Sequence, residues 1–297
     1  MPKLSRILVP VEFSPRCRGA VQYAEALSAH FHGEIVLLHV VIPPAANFSS
    51  LETTVYAHGD ELAREIAQQR AVDLEAFPCV ACGDAAVRRV VLEGDPTRTI
   101  VEYAASAQCD LIVMPTHGYG PFRRFLLGSV TAKVLHDAIC PVWTGPHMER
   151  APDYHALGFL NVLCAIDLEP HSRPVLAWGA AFAREFGAHL SIVHAIPSSA
   201  TRLGGFYFDP AFDTPDWRTQ LTRTAAERIA ALREELRIEA SVGIEAGETP
   251  LVVATAAGTV RADLVVMGRG STPRAHGHLP TNSYAIVRES ACPVVAV

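Results

Sequence analysis

The amino-acid sequence predicts an α/β protein made of two tandem, doubly wound, Rossmann-like domains, each a five-stranded parallel sheet flanked by helices. Three observations carry this: an internal repeat, a regular alternation of short apolar runs with helically spaced segments, and a length of 297 residues, which suits two domains of about 150. The repeat consists of five landmarks in one order. Ile7-Leu8-Val9-Pro10-Val11-Glu12 recurs as Val162-Leu163-Cys164-Ala165-Ile166-Asp167, and Ile35-Val36-Leu37-Leu38-His39-Val40 as Leu190-Ser191-Ile192-Val193-His194-Ala195, both 155 residues on. Glu93-Gly94-Asp95-Pro96 parallels Ala246-Gly247-Glu248-Thr249-Pro250, and Asp110-Leu111-Ile112-Val113-Met114 parallels Asp263-Leu264-Val265-Val266-Met267. Cys140-Pro141-Val142 matches Cys292-Pro293-Val294. The spacing drifts by only a few residues, as a tandem duplication requires.

Each element follows from local pattern. Residues 7–11 form an apolar strand. Ser14-Pro15 supplies a cap and a first-turn proline, after which Ala20, Ala24, Leu27 and Phe31 keep helical spacing until Gly33 stops the helix. Residues 35–41 are almost continuously apolar, as in a strand covered on both faces. Leu62, Ile66 and Leu74 place the second helix over 59–76, and residues 87–92 form the third strand. Asp95-Pro96 opens the third helix, 111–114 is the fourth strand, Ser129–Asp137 the fourth helix and 141–144 a short last strand. The second half repeats the order, with strands at 160–166, 189–196, 239–245, 263–267 and 293–297 and helices at 172–187, 215–236, 249–261 and 281–290. Such alternation implies a parallel sheet. The stretch from His147 to His155, carrying Pro152 and several charges, reads as the linker, which gives domains 1–147 and 156–297.

Composition narrows the function. With 49% apolar and 19% charged residues the chain has ample core material. A net charge of −6 without a like-charge block disfavours nucleic acid and a polybasic membrane anchor. Lys3 and Lys133 are the only lysines, a bias that composition alone explains. Seven scattered cysteines do not resemble a secreted disulfide framework, and neither a signal peptide nor a long apolar span stands out, so a cytoplasmic location is expected. Cys79 and Cys82 form one C-x-x-C, read as incidental because a second pair is lacking.

In open parallel sheets a ligand binds beyond the carboxyl ends of the strands, where the strand order reverses. That points to Pro10, Val11 and Glu12 after the first strand and to the stretch from Met114 to Thr131. The stretch contains Pro115, Thr116, His117, Gly118, Gly128, Ser129 and Val130, and it runs into a helix N-terminus. Gly118 and Gly128 permit close backbone approach, and the amides of Ser129, Val130 and Thr131 together with the helix dipole favour an anion. The hydroxyls of Ser129 and Thr131 offer two further hydrogen bonds. A phosphate suits this place. The same residues also fit a structural role, in which Ser129 caps its helix and the glycines turn the chain; there is no Walker A or G-x-G-x-x-G sequence. His39 and His194, at equivalent strand ends, suggest one structural hydrogen bond made twice. Arg123 and Arg124 read either as phosphate contacts or as an exposed patch, Lys133 as facing an anion or water, and His276 and His278 as solvated loop residues or two metal ligands lacking a third.

The whole arrangement resembles the universal stress protein family. The carrying features are a first strand ending in Pro-Val-acidic, a fourth strand ending in Val-Met, a G-x9-G-S loop and the terminal Cys-Pro-Val, and the resemblance covers nearly the whole chain, twice. The resemblance implies an adenine nucleotide alpha hydrolase-like fold with a phosphate loop at Gly118, Gly128, Ser129, Val130 and Thr131. Pro115 replaces the family's first loop glycine and lacks an amide donor. Glu12 stands for a strand-one aspartate that faces the nucleoside, though it also fits a solvated carboxylate, and Val40, Val41 and Met114 match the base pocket. In the second half the loop fails: Gly268-Arg269-Gly270 is one residue short, and Pro280 stands where the second glycine belongs. A weak or absent nucleotide site is expected there, although Asp167 keeps the carboxylate.

The resemblance thus implies a stress-response binding module holding ATP or a related adenine nucleotide, with a divalent cation such as Mg on the phosphates. It also implies an internal pseudo-dimer through the last strands, further homodimerisation as an open question, and an unidentified regulatory protein partner. The competing readings are a slow ATPase or nucleotide-dependent transferase, for which His117 is the one general base in the loop, and a nucleotide-free dimerisation protein. No base–nucleophile pair, G-x-S-x-G or H-E-x-x-H sequence supports an enzyme, and no catalytic residue is assigned.

Overall fold

The computed structural model describes residues 4–43, 56–79, 86–116, 127–145, 158–196, 198, 202–203, 206–207, 214–269 and 281–297. They fall into two compact units, one reaching Thr144 and the other starting at Gly158.

The first unit contains β1 (Arg6–Pro10), α1 (Pro15–Phe31), β2 (Glu34–Val41), α2 (Tyr56–Glu75), β3 (Val87–Glu93), α3 (Pro96–Ser106), β4 (Leu111–Val113), α4 (Ser129–Asp137) and β5 (Val142–Thr144). Its strands lie in the order β3-β2-β1-β4-β5, with every neighbouring pair parallel. β1 and β4 are central, and Ile7, Leu8, Val9, Leu111, Ile112 and Val113 are fully buried. Each such side chain contributes about 1.5–3 kcal/mol of apolar burial, which is why the central runs are unbroken.

The caps expected from sequence are present. Ser14 Oγ accepts from Cys17 N at 3.4 Å, and Asp95 Oδ1 accepts from Arg98 N at 2.9 Å, each ahead of a proline in the first turn. Gly33 is not the residue that reverses α1; His32 takes the left-handed conformation, at φ 55°. Gly33 is required for a different reason, because a Cβ there would lie 2.2 Å from Leu4 O. The second helix begins at Tyr56, three residues earlier than its apolar spacing suggests.

The second unit contains β6 (Asn161–Ile166), α5 (Ser172–Phe186), β7 (His189–Ile196), β8 (Arg202–Leu203), β9 (Phe206–Tyr207), α6 (Pro215–Leu236), β10 (Ser241–Ala246), α7 (Thr249–Val260), β11 (Leu264–Met267), α8 (Thr281–Glu289) and β12 (Val294–Ala296). The parallel order β10-β7-β6-β11-β12 repeats that of the first unit. The antiparallel pair β8–β9 is additional. Strands of two residues are too short to show alternation, so no periodicity announces them.

The duplication extends to individual hydrogen bonds. Asp110 Oδ2 accepts from Ser5 N at 2.8 Å and Arg6 N at 3.0 Å, while Asp263 Oδ2 accepts from Leu160 N at 2.7 Å and Asn161 N at 2.9 Å. In both units an aspartate before the fourth strand therefore holds the amides at the start of the first. The turn after the first strand is shared as well, with Phe13 and Leu168, 155 residues apart, both at φ 64°. Cys17, Cys109, Cys164 and Cys292 are free thiols, and no helix among the described residues is long and apolar enough to cross a membrane. Cys82 lies outside the described residues.

Candidate functional site

A cavity of about 430 Å³ opens in the first unit beyond the carboxyl ends of β1 and β4. Pro10, Val11 and Glu12 line it from β1, Met114 and Pro115 from β4, and Gly128, Ser129, Val130 and Thr131 from the start of α4. Topology brings these together, because the chain leaves β1 toward β2 on one side and returns to β4 on the other, parting the connections above the adjacent strands. Leu38, Val40 and Ile42 of the β2 end, Ile100 of α3 and Cys17 of α1 supply apolar walls. Of the residues singled out from sequence, His117 and Gly118 lie outside the described residues, as do Arg123 and Arg124.

The N-terminus of α4 differs from those of α1 and α3, which have side-chain caps. Its N-cap is Gly128, which has an extended backbone at φ −62° and ψ 145° and no side chain to satisfy the first amides. The first helical bond runs from Ala132 N to Gly128 O at 2.8 Å. Ser129, Val130 and Thr131 thus present their amides at the cavity edge, where the positive end of the helix dipole adds to them. Ser129 does not cap the helix but starts it, with its side chain exposed.

Two expectations need correction. The Thr131 hydroxyl is buried and donates to Pro115 O at 3.0 Å, so it ties the helix to the β4 end and is not an additional donor for a ligand. Val41 is buried in the core and is not among the residues that line the cavity, unlike Val40 and Ile42 on either side of it. Ile42, half exposed, takes the place expected of it.

Glu12 is exposed at the mouth. Ser14 Oγ donates to its Oε1 at 3.0 Å, and its amide donates to Cys17 Sγ at 3.3 Å. Burial raises the Cys17 pKa, which keeps the thiol protonated. Sequence reasoning overlooked Cys17 because a lone cysteine in an apolar helix carries no signal.

His39 also lines the cavity, and its Nδ1 donates to Val11 O at 2.7 Å; His194 Nδ1 repeats the bond to Ile166 O at 2.9 Å. A carbonyl only accepts, so Nδ1 carries the proton in both rings. Burial lowers the His39 pKa, aided by Arg70 and opposed by the Val11 carbonyl and Asp73. A depressed histidine pKa means the unfolded chain binds the proton first. This contribution to stability is intact above about pH 6.5, the ordinary histidine value, and is lost as pH falls from there through the lower folded pKa. Chemical unfolding across that range should show stability falling with acidity, and His39→Gln should flatten the slope; an identical slope in the variant would assign the effect elsewhere.

The second unit has a smaller cavity, about 230 Å³, at the equivalent place. There Asp167 is fully engaged. Its Oδ1 accepts from Glu169 N and Ser172 Oγ, both at 3.0 Å, and its Oδ2 lies 2.8 Å from His171 Nε2. The His171 ring lies against Gly268 at the end of β11, where a Cβ would come within 2.4 Å of it. Imidazole thus takes up space at the end of β11 beside the cavity. Gly270, His276, His278 and Pro280 lie outside the described residues.

Comparison with known proteins follows the same division. The model of the universal stress protein family matches residues 3–144 and again 158–297. A universal stress protein of Methanocaldococcus jannaschii is 27% identical over 147 residues, covering 46% of this chain and 79% of the relative. One from Mycobacterium tuberculosis is 32% identical over 147 residues, covering 48% of this chain but 45% of the relative, so the match spans less than half of that protein. Among solved structures, a universal stress protein from Archaeoglobus fulgidus aligns with a TM-score of 0.61 and 23% identity, covering 99% of this chain and 96% of the other. That likeness shows the shared fold.

Proposed function

Because the chain belongs to the universal stress protein family, matched in both halves, we propose that its first unit binds an adenine nucleotide of the ATP type and acts as a stress-response regulatory module in the cytoplasm. The observation that carries the reading is the uncapped N-terminus of α4 at the rim of a largely apolar cavity. A volume of about 430 Å³ falls within the range of small-molecule sites, roughly 300–1,000 Å³. The base and sugar lie against Val11, Val40, Ile100 and Met114, and the phosphates take the amides of Ser129 to Thr131. Glu12 supplies an acceptor for a ribose hydroxyl.

No group of three or more histidine, cysteine, aspartate or glutamate side chains fit to hold a metal exists among the described residues. A divalent cation would therefore be carried by the phosphates and water, as magnesium commonly is. In the second unit, Asp167 is occupied by Ser172 and His171, and this half binds nucleotide weakly or not at all. The same reading includes the internal pseudo-dimer that the resemblance implies, and a protein partner that distinguishes the nucleotide-bound first unit. Equilibrium titration of the full chain with ATP tests the core of it: saturable binding at one site per chain is expected, and no detectable binding at millimolar ATP would overturn it.

A further inference from the structure

On the far side of the second unit, where α5 and α6 end and β7 and β10 begin, lies an open cavity of about 840 Å³ bordered by Arg184, Arg233, Arg237 and His189. Glu239 is the one acidic residue that lines it. Among the described residues no carboxylate forms an ion pair with any of the three arginines. Arg233 Nε is buried and has no hydrogen-bond partner. An unsatisfied buried donor of a charged group is costly, about 1–3 kcal/mol or more, and calls for an acceptor.

Arginines often sit at helix C-termini merely to offset the dipole. The duplication tests that explanation within the molecule. In the first unit the last turn of α1 carries only His30, and the end of α2 receives a single guanidinium, that of Arg89 in β3, whose Nε donates to Leu74 O at 3.0 Å and lies 3.8 Å from Glu75 Oε2. The strand position of His189 is held there by Glu34, which is neutralised by Arg6 at 2.7 Å. The second unit thus gathers three arginines around one cavity where the matching helix ends of the first unit receive one, already bonded to carbonyls there.

We infer that this cluster is a binding site for a small soluble polyanion of the phosphate class, with guanidinium groups from two helices converging on its oxygens. Planar guanidinium forks match phosphate oxygens better than point charges do, and three of them exceed what a single monoanion would neutralise.

Calorimetric titration with inorganic pyrophosphate, in the absence of ATP, of the full chain carrying Gly128→Asp, which places a carboxylate at the start of α4 in the first unit, tests this. Binding that weakens with added salt is expected. The variant Arg184→Gln, Arg233→Gln, Arg237→Gln should lose at least about tenfold in pyrophosphate affinity in that background, while ATP binding by the chain that keeps Gly128 is unchanged. The exposed single change Arg237→Gln guards against a misfolded triple variant and should weaken binding in the same direction. Undetectable pyrophosphate binding at millimolar concentration, or equal binding by the folded variants, would overturn the site. Should ATP itself fail to bind, the pyrophosphate comparison between parent and variants still decides this inference independently.

Discussion

Replacing Gly128 by aspartate is expected to weaken ATP binding at least about a hundredfold, a loss of about 2.8 kcal/mol, while leaving the protein folded. Gly128 occupies an ordinary extended conformation, so a side chain there meets no backbone strain. The new carboxylate has two effects on ligand binding. It accepts hydrogen bonds from the amides of the first turn of α4, and it repels the phosphates from the place those amides would hold them. For the helix alone the same change is favourable, since an aspartate N-cap is better than a glycine one by roughly a few tenths of a kcal/mol. Stability and binding therefore move in opposite directions. Nucleotide titration together with thermal unfolding reads both, and unchanged ATP affinity in a folded variant would remove α4 from the site.

Gly33→Ala is expected to cost about 3 kcal/mol of stability in the first unit, at the upper end for an added methyl group. The opposing atom is the Leu4 carbonyl oxygen, 2.2 Å from the new Cβ, and backbone at the entry of a central strand cannot yield as a side-chain tip can. The equivalent loop of the second unit provides the contrast. Gly187 takes φ 64°, but a methyl group there would meet nothing within 4 Å, so Gly187→Ala should lose only about 1–2 kcal/mol from the left-handed backbone. Denaturant unfolding of the two variants separates contact from conformation. Equal losses would show that the Leu4 contact relaxes freely.

How far the sequence reached depended on whether a feature is local. The caps at Ser14 and Asp95 follow from a polar residue before a proline, and the buried strands follow from unbroken apolar runs. The bonds of His39 and His194 were legible because the duplication places the same polar residue at the same strand end twice. The clamps by Asp110 and Asp263 carried the same signal, since both aspartates stand at matched positions before the fourth strand. Cys17, Ile42 and Ile100 were not legible as cavity walls, because each is one apolar residue among many until the crossovers set it beside β1.

Sequence by itself determined the duplicated α/β architecture, since apolar periodicity and turn chemistry act over a few residues and recur in both halves. It also pointed to the carboxyl ends of the first and fourth strands, where the structure has a cavity. Tertiary structure alone decided which groups remain available there. It tied the Thr131 hydroxyl to Pro115, buried Val41 off the cavity wall, and set His171 into the wall of the smaller second cavity. It also gathered the arginines of α5 and α6, nearly fifty residues apart in sequence, around one cavity. The physical reason is that hydrogen-bond capacity and free volume are set by non-local packing, which no short window of sequence contains.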